Sequence, residues 1–141
     1  MDITVYKKTV LANTDRVQII LMLYEGTLNH MKIAKQKIER GDTLSKGTHI
    51  NKATLIVTEL SNVLDMEKGG EISGNLRNLY NFVLQRLLYA NLNNDVNALE
   101  EAEKVIDTIK DGWKEMMKTL KQQHGLPSAS TNTPYMAIPC E

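Results

Sequence analysis

The chain has 141 residues, 42% of them apolar and only 5% aromatic, enough for one domain with an aliphatic core and too short for two of ordinary size. Lys plus Arg number 17 and Asp plus Glu number 17, so no net field draws in a polyanion or an anionic membrane, and neither is an expected partner. The chain lacks a run of about 18 apolar residues and an apolar leader with a small-residue cleavage site, so it is expected to act in the compartment where it is made.

Residues 1–14 carry Ile3, Val5, Tyr6, Val10 and Leu11 in a polar surround and read as a short N-terminal arm lying on the rest. From residue 15 to 122 there is no proline, and apolar residues recur at the helical period in four blocks. The first opens at Asp15, which with Gln18 makes a capping-box pattern. It carries one stripe of Val17, Leu21, Tyr24, Leu28, Met31 and Ile38, and a second line of Ile19, Leu23 and Ile33. Gly41-Asp42 ends it. The second block repeats Ile50, Ala53, Val57, Leu60 and Leu64, with Ile56 and Val63 outside that line. The adjacent Gly69 and Gly70 predict a sharp reversal between Asp65 and Glu71. In the third block, Leu76 to Leu92, apolar residues go almost all the way round, so that helix needs cover on several sides. Asn93, Asn94 and Asp95 break the pattern. The fourth block has an ordinary amphipathic face of Leu99, Ala102, Ile106, Ile109, Trp113, Met116 and Leu120.

Short connections make sequential helices antiparallel, so the expected fold is all-α, an antiparallel up-down four-helix bundle. It spans residues 15–122, between the arm at 1–14 and a flexible tail at 123–141 that holds Pro127, Pro134 and Pro139.

Ligand-binding chemistry is sparse. Cys140 is the only cysteine, which rules out an internal disulfide and suits a reducing cytosol. His30, His49 and His124 lie on three segments with no Glu-x-x-His pair, so no metal and no cofactor is expected. Gly69-Gly70 lacks the strand and the GKS or GKT ending of a phosphate loop. No nucleophile, base and orienting group stand at a recognisable spacing, so an enzyme is not expected.

Three strings carry a resemblance: Ile20-Leu21-Met22-Leu23-Tyr24-Glu25-Gly26, Met66-Glu67-Lys68-Gly69-Gly70-Glu71-Ile72 and Asn75-Leu76-Arg77-Asn78-Leu79-Tyr80. Leu87 to Asp95 and the lone Trp113 continue it in register. Over about residues 6–117 the chain resembles the flagellin export chaperones of the FliS family. That resemblance implies a cytoplasmic chaperone that binds the C-terminal helical segment of flagellin, prevents premature polymerisation and escorts it to the flagellar type III export apparatus. Other flagellar export or regulatory proteins are further partners to consider. It also implies an N-terminal arm whose tyrosine covers the groove, and Tyr6 matches that tyrosine, so Val5, Tyr6 and Val10 form the expected lid. Asn13-Thr14-Asp15-Arg16 departs from the family's usual Thr, Ala, Ser and Pro.

If each helix spends one stripe on the interior, the surplus is left for a partner. The candidate groove residues are Ile19, Leu23, Ile50, Ile56, Val57, Val63, Tyr80, Leu84 and Leu88. At any one of them the plainer reading is core. The competing function is a homo-oligomeric helical scaffold or adaptor without a flagellin client. The client-free chaperone itself is expected as monomer or homodimer.

Overall fold

The computed structural model describes residues 3–122, with backbone alone for residues 3–14 and Leu120. Four helices fill it: α1 (Ile3–Arg40), α2 (Thr43–Asn62), α3 (Met66–Asn93) and α4 (Val96–Gln122). The short links fix the topology. Gly41 adopts a left-handed φ of 75°, the glycine stop expected after a helix. Asp42 then caps α2 by accepting from the Ser45 N–H at 3.1 Å. Asp65 caps α3 through the Lys68 N–H at 2.9 Å. Asn94, in the left-handed region at φ 51°, closes α3, and Asp95 accepts from the Ala98 N–H to start α4.

Cross-helix contacts give an antiparallel register at every seam. His30 meets His49 across α1 and α2, Lys46 reaches Asn91 across α2 and α3, Arg86 pairs with Glu101 across α3 and α4, and Lys35 pairs with Glu103 across α1 and α4. The chain is thus an up-down four-helix bundle, as the periodicity predicts. Its interior is mostly aliphatic: Val17, Leu21 and Met31 of α1, Ile50, Val57 and Leu60 of α2, Val83 and Leu87 of α3, Leu99 and Ile106 of α4.

Two boundaries differ from the sequence expectation. The first helix begins at Ile3, not at Asp15. No glycine or proline lies between those positions, so nothing stops a helix from propagating backwards, and the Asp15–Gln18 pattern sits inside the helix, not at its start. Thirty-eight residues make α1 about 57 Å long, nearly twice the length of α2. The expected lid residues Val5, Tyr6 and Val10 lie on this stretch; their side chains lie outside the described set, as does the tail from residue 123.

The second difference is the reversal before α3. The chain turns at Val63–Asp65, and the paired glycines lie within the helical span, where Gly70 breaks the geometry at φ 52°, ψ −126°. An aspartate cap starts the helix as soon as its carboxylate finds the free N–H groups of the first turn, and the glycines only kink the helix after that turn. Buried Ser73 donates to the Asp65 carbonyl at 2.9 Å across the kink, which ties the first turn to the body of α3.

Candidate functional site

Polar groups buried in the core fix how the helices face one another. Tyr24 and Tyr80, both fully buried, bring their hydroxyls to 2.6 Å across α1 and α3. Trp113 of α4 packs against Tyr24 with ring centroids 6.5 Å apart, so α4 borders the same pair. Burial raises the Tyr24 phenol far above its ordinary value, with Tyr80 adding to the effect and Trp113 opposing it. Burial also pushes Tyr80 up to about 12, against the opposing hydrogen bond from Tyr24. Both phenols stay neutral and, with Trp113 packed beside them, act as a register pin, since a slipped helix would orphan two hydroxyls in an apolar interior.

Lys46 is a second device that sequence reasoning missed. It is 5% exposed, and its ammonium donates to the Asn91 carbonyl at 2.8 Å. Asn91 lies in the last turn of α3, where carbonyls lack intrahelical partners and the helix end is negative. The cation therefore satisfies the carbonyl and complements the dipole, and the α2 start is pinned to the α3 end.

Around this core the apolar surface is uneven. The outer face of α4 is charged. Between α4 and α1 lies a hollow of about 510 Å³ whose rim includes Glu25, Lys32, Glu100, Glu103, Lys104 and Asp107; its mixed charges suit water and ion pairs, not an apolar ligand. On the other three helices, large apolar side chains face outward.

The expected groove residues divide into two groups. Ile50, Val57 and Tyr80 are buried at 1% or less, so they are core and offer nothing to a ligand. Their stripes are the ones that adjoining helices consume, and Tyr80 is held there by its bond to Tyr24. The rest reach the surface: Leu23, Ile56, Val63 and Leu84 are half-buried, while Ile19 is 56% and Leu88 60% exposed.

Those six fall on two seams flanking α2. A side-chain carbon at Gly26 would stand 3.7 Å from the Ile56 Cδ1, and the antiparallel register this sets puts Ile19 opposite Val63, with Leu23 between. On the other flank, Gly47 of α2 lies beside Asn91, and Leu84, Leu88 and Leu92 follow one another at four-residue spacing up that edge of α3. The outward face of α2 between the seams adds Leu55, which is 69% exposed, and Leu44. The result is an apolar band around α2 that nothing in the chain's described residues covers. Leu44, Leu55 and Leu92 were not singled out in the sequence, although Leu55 stands off the buried stripe of its block and could have been found that way.

Two histidines far apart in sequence meet beside this band. The Nδ1 atoms of His30 and His49 are 3.0 Å apart, and the rings are tilted at 34°. Desolvation, then the charges of His49 and Lys52, lower the His30 pKa, which favours the neutral form of the His30 ring, and one Nδ1 of the pair donates to the other. His124 lies outside the described set. Among the described residues no three His, Cys, Asp or Glu side chains group to hold a metal ion, and no helix is long and apolar enough to cross a membrane.

Comparison with known proteins points one way. A family model described as "Flagellar protein FliS" matches residues 2–120. The chain is 42% identical over 100 residues to the flagellar secretion chaperone FliS of Salmonella typhimurium, across 70% of this chain and 74% of that one. It is 38% identical over 96 residues to the flagellar secretion chaperone FliSB of Pseudomonas aeruginosa, across 68% and 76% of the two chains. With the flagellar secretion chaperone FliS of Bacillus subtilis the identity is 31% over 123 residues, across 86% of this chain and 91% of the relative.

Proposed function

Because the chain belongs to the FliS family of flagellar proteins, we propose that it is a cytoplasmic chaperone that holds the C-terminal helical segment of flagellin. In holding that segment it prevents premature polymerisation and escorts the subunit to the flagellar type III export apparatus. The observation that carries this reading is the uncovered apolar band around α2, with Ile19, Leu23, Ile56 and Val63 on one flank and Leu84 and Leu88 on the other. An amphipathic helix laid into each seam, joined by extended chain over Leu55, would cover it.

Each aliphatic anchor buried by the client contributes roughly 1.5–3 kcal/mol, less the entropy of ordering a disordered segment. Several anchors are required for useful affinity, which favours a wrapped contact over a single pocket. Such a mode needs no catalytic group. It asks only that the bundle stay rigid while the client orders, and the Tyr24–Tyr80–Trp113 pin and the Lys46–Asn91 bond supply that rigidity.

The first residues supply a control step in this reading. If Val5, Tyr6 and Val10 shield the client surface in the empty chaperone, binding must displace them, and the apparent affinity falls by the fraction of open molecules. Calorimetric titration with a C-terminal flagellin fragment tests both parts. A 1:1 complex is expected, tightened by deletion of residues 1–12. Unchanged affinity after the deletion removes the lid from the mechanism. Absence of heat or complex with the intact chain removes flagellin as client and favours the client-free scaffold.

A further inference from the structure

The face between α3 and α4 carries apolar surface that the band around α2 does not include. A depression of about 260 Å³ lies there, walled by Ile72, Leu76, Ile109, Gly112, Trp113 and Met116. Ile72 on its rim is 52% exposed. At Gly112 the surface is bare, with nothing within 4 Å of an added side-chain carbon. No charged side chain lines the depression, and it is smaller than the roughly 300–1,000 Å³ clefts that enclose small molecules. Its size and chemistry suit one or two uncharged apolar side chains of a peptide.

We propose that the occupant is this chain's own C-terminal segment Tyr135-Met136-Ala137-Ile138, folded back along α4. Composition, reach and flanking prolines select it. From Ser128 to Pro139 there is no charged residue, and Tyr135, Met136 and Ile138 are the only large apolar side chains beside the prolines. Burying them against the depression strands no charge. An extended segment sends alternate side chains to one side, so Met136 and Ile138 enter together while Tyr135 stays at the rim beside Ile72.

The reach fits. Trp113 lies nine residues before the end of α4 at Gln122, about 14 Å along the helix axis. Gly125 and Pro127 are residue types that end helices, so the chain can reverse there. Residues 123–134 then connect the helix end to Tyr135. An undocked linker of that length has a root-mean-square reach of about 20 Å, close to the span it must cover. A linker matched to its span gives the highest effective concentration, on the order of millimolar. Docking within one chain therefore wins over the same contact made between chains.

Pro134 and Pro139 bracket the segment. Their fixed φ, and the extended bias each imposes on the residue before it, shape the segment before contact and reduce the entropy lost on docking. Trp113 supplies the aromatic wall that proline-flanked extended segments use in other recognition grooves. The family match ends at residue 120, before this segment begins, so the segment takes no role from the family resemblance. Docked, it covers the exposed rim of α3 and leaves the band around α2 free.

Cys140, the only cysteine, stands two residues past Ile138 and is the probe. In a full-length Gly112→Cys chain at low protein concentration, mild oxidation should close an intramolecular disulfide to Cys140, which demands Cα atoms within about 7 Å. Thr119→Cys is the control: it lies seven residues nearer to Cys140 along the chain, so an undocked segment would close there faster. The Gly112→Cys chain should close at least about tenfold faster than the Thr119→Cys chain, and adding Met136→Asp/Ile138→Asp should remove the preference. Chymotrypsin cleavage after Tyr135 is a second readout on the native cysteine background: filling the depression with Gly112→Leu should speed it at least about fivefold. Closure no faster than in the Thr119→Cys chain, disulfides formed only between molecules, or cleavage indifferent to Gly112→Leu overturns the proposal. No client is present in either assay, so neither outcome depends on the chaperone reading.

Discussion

Raising the pH above 10 should unfold this bundle by a route that the Tyr24–Tyr80 pair dictates. In the unfolded chain both phenols ionise near their ordinary value of about 10. In the fold, burial holds Tyr24 far above that and pushes Tyr80 up to about 12. Between those limits the unfolded chain has released protons that the folded chain retains, so stability falls as pH rises. The contribution is complete below about pH 10 and is lost on the way to pH 12. For Tyr80 the full loss is about 2.7 kcal/mol, at about 1.4 kcal/mol per pH unit. Tyr24 adds a second proton, so the slope doubles to about 2.7 kcal/mol per pH unit, enough to consume most of an ordinary domain's stability. Urea unfolding at intervals from pH 8 to 11.5, followed by circular dichroism, measures the slope. Tyr24→Phe/Tyr80→Phe is the control, because lysine deprotonation also weakens ion pairs in this range. The double variant loses the buried hydroxyl pair, should start about 0.5–1.5 kcal/mol less stable, and should then lose stability much more slowly. Equal slopes in variant and parent would refute the buried network.

Replacing Lys46 by Met keeps most of the volume and removes the bond to the Asn91 carbonyl; the expected loss is about 1.5–3 kcal/mol in urea unfolding at neutral pH. Gly70 has a backbone that side-chain-bearing residues rarely adopt and nothing within 4 Å of an added carbon, so Gly70→Ala should cost about 1–3 kcal/mol through strain alone, read as a lower thermal midpoint. His30 is held neutral in the fold, its pKa lowered by desolvation and by His49 and Lys52, so the unfolded chain takes up a proton first as pH drops. Stability present above about pH 6.5 should therefore decline below it, and His49→Gln should alter that acid limb in a urea series from pH 7 to 5.

The bundle was legible because helical periodicity, aspartate caps and the Gly41 stop all act locally. The misread boundaries mark where local signals compete. Asp15 resembles a start, yet nothing upstream of it halts a helix. Gly69-Gly70 resembles a turn, yet Asp65 had already begun the next helix. The apolar band around α2 was only half legible. Periodicity shows that α2 and α3 carry more than one apolar stripe, but which stripe is spent inside depends on the rotation of each helix in the bundle. That rotation is set by long-range contacts, Tyr24 to Tyr80 and Lys46 to Asn91, which no window of sequence contains. For this reason Ile50, Val57 and Tyr80, candidates for the groove with core as the plainer reading, are buried, while Ile19 and Leu88 are exposed. The meeting of His30 with His49 was hidden in the same way.

The central claim is that a client helix is held on the apolar band around α2, and charge inserted into that band tests it most directly. Ile19→Glu and Leu88→Glu, each exposed enough to leave the fold intact by circular dichroism, should weaken binding of a C-terminal flagellin fragment by tenfold or more, about 1.4 kcal/mol each, while Thr119→Glu on the polar face of α4 should not. A fragment that binds both variants as tightly as the parent chain would contradict the account.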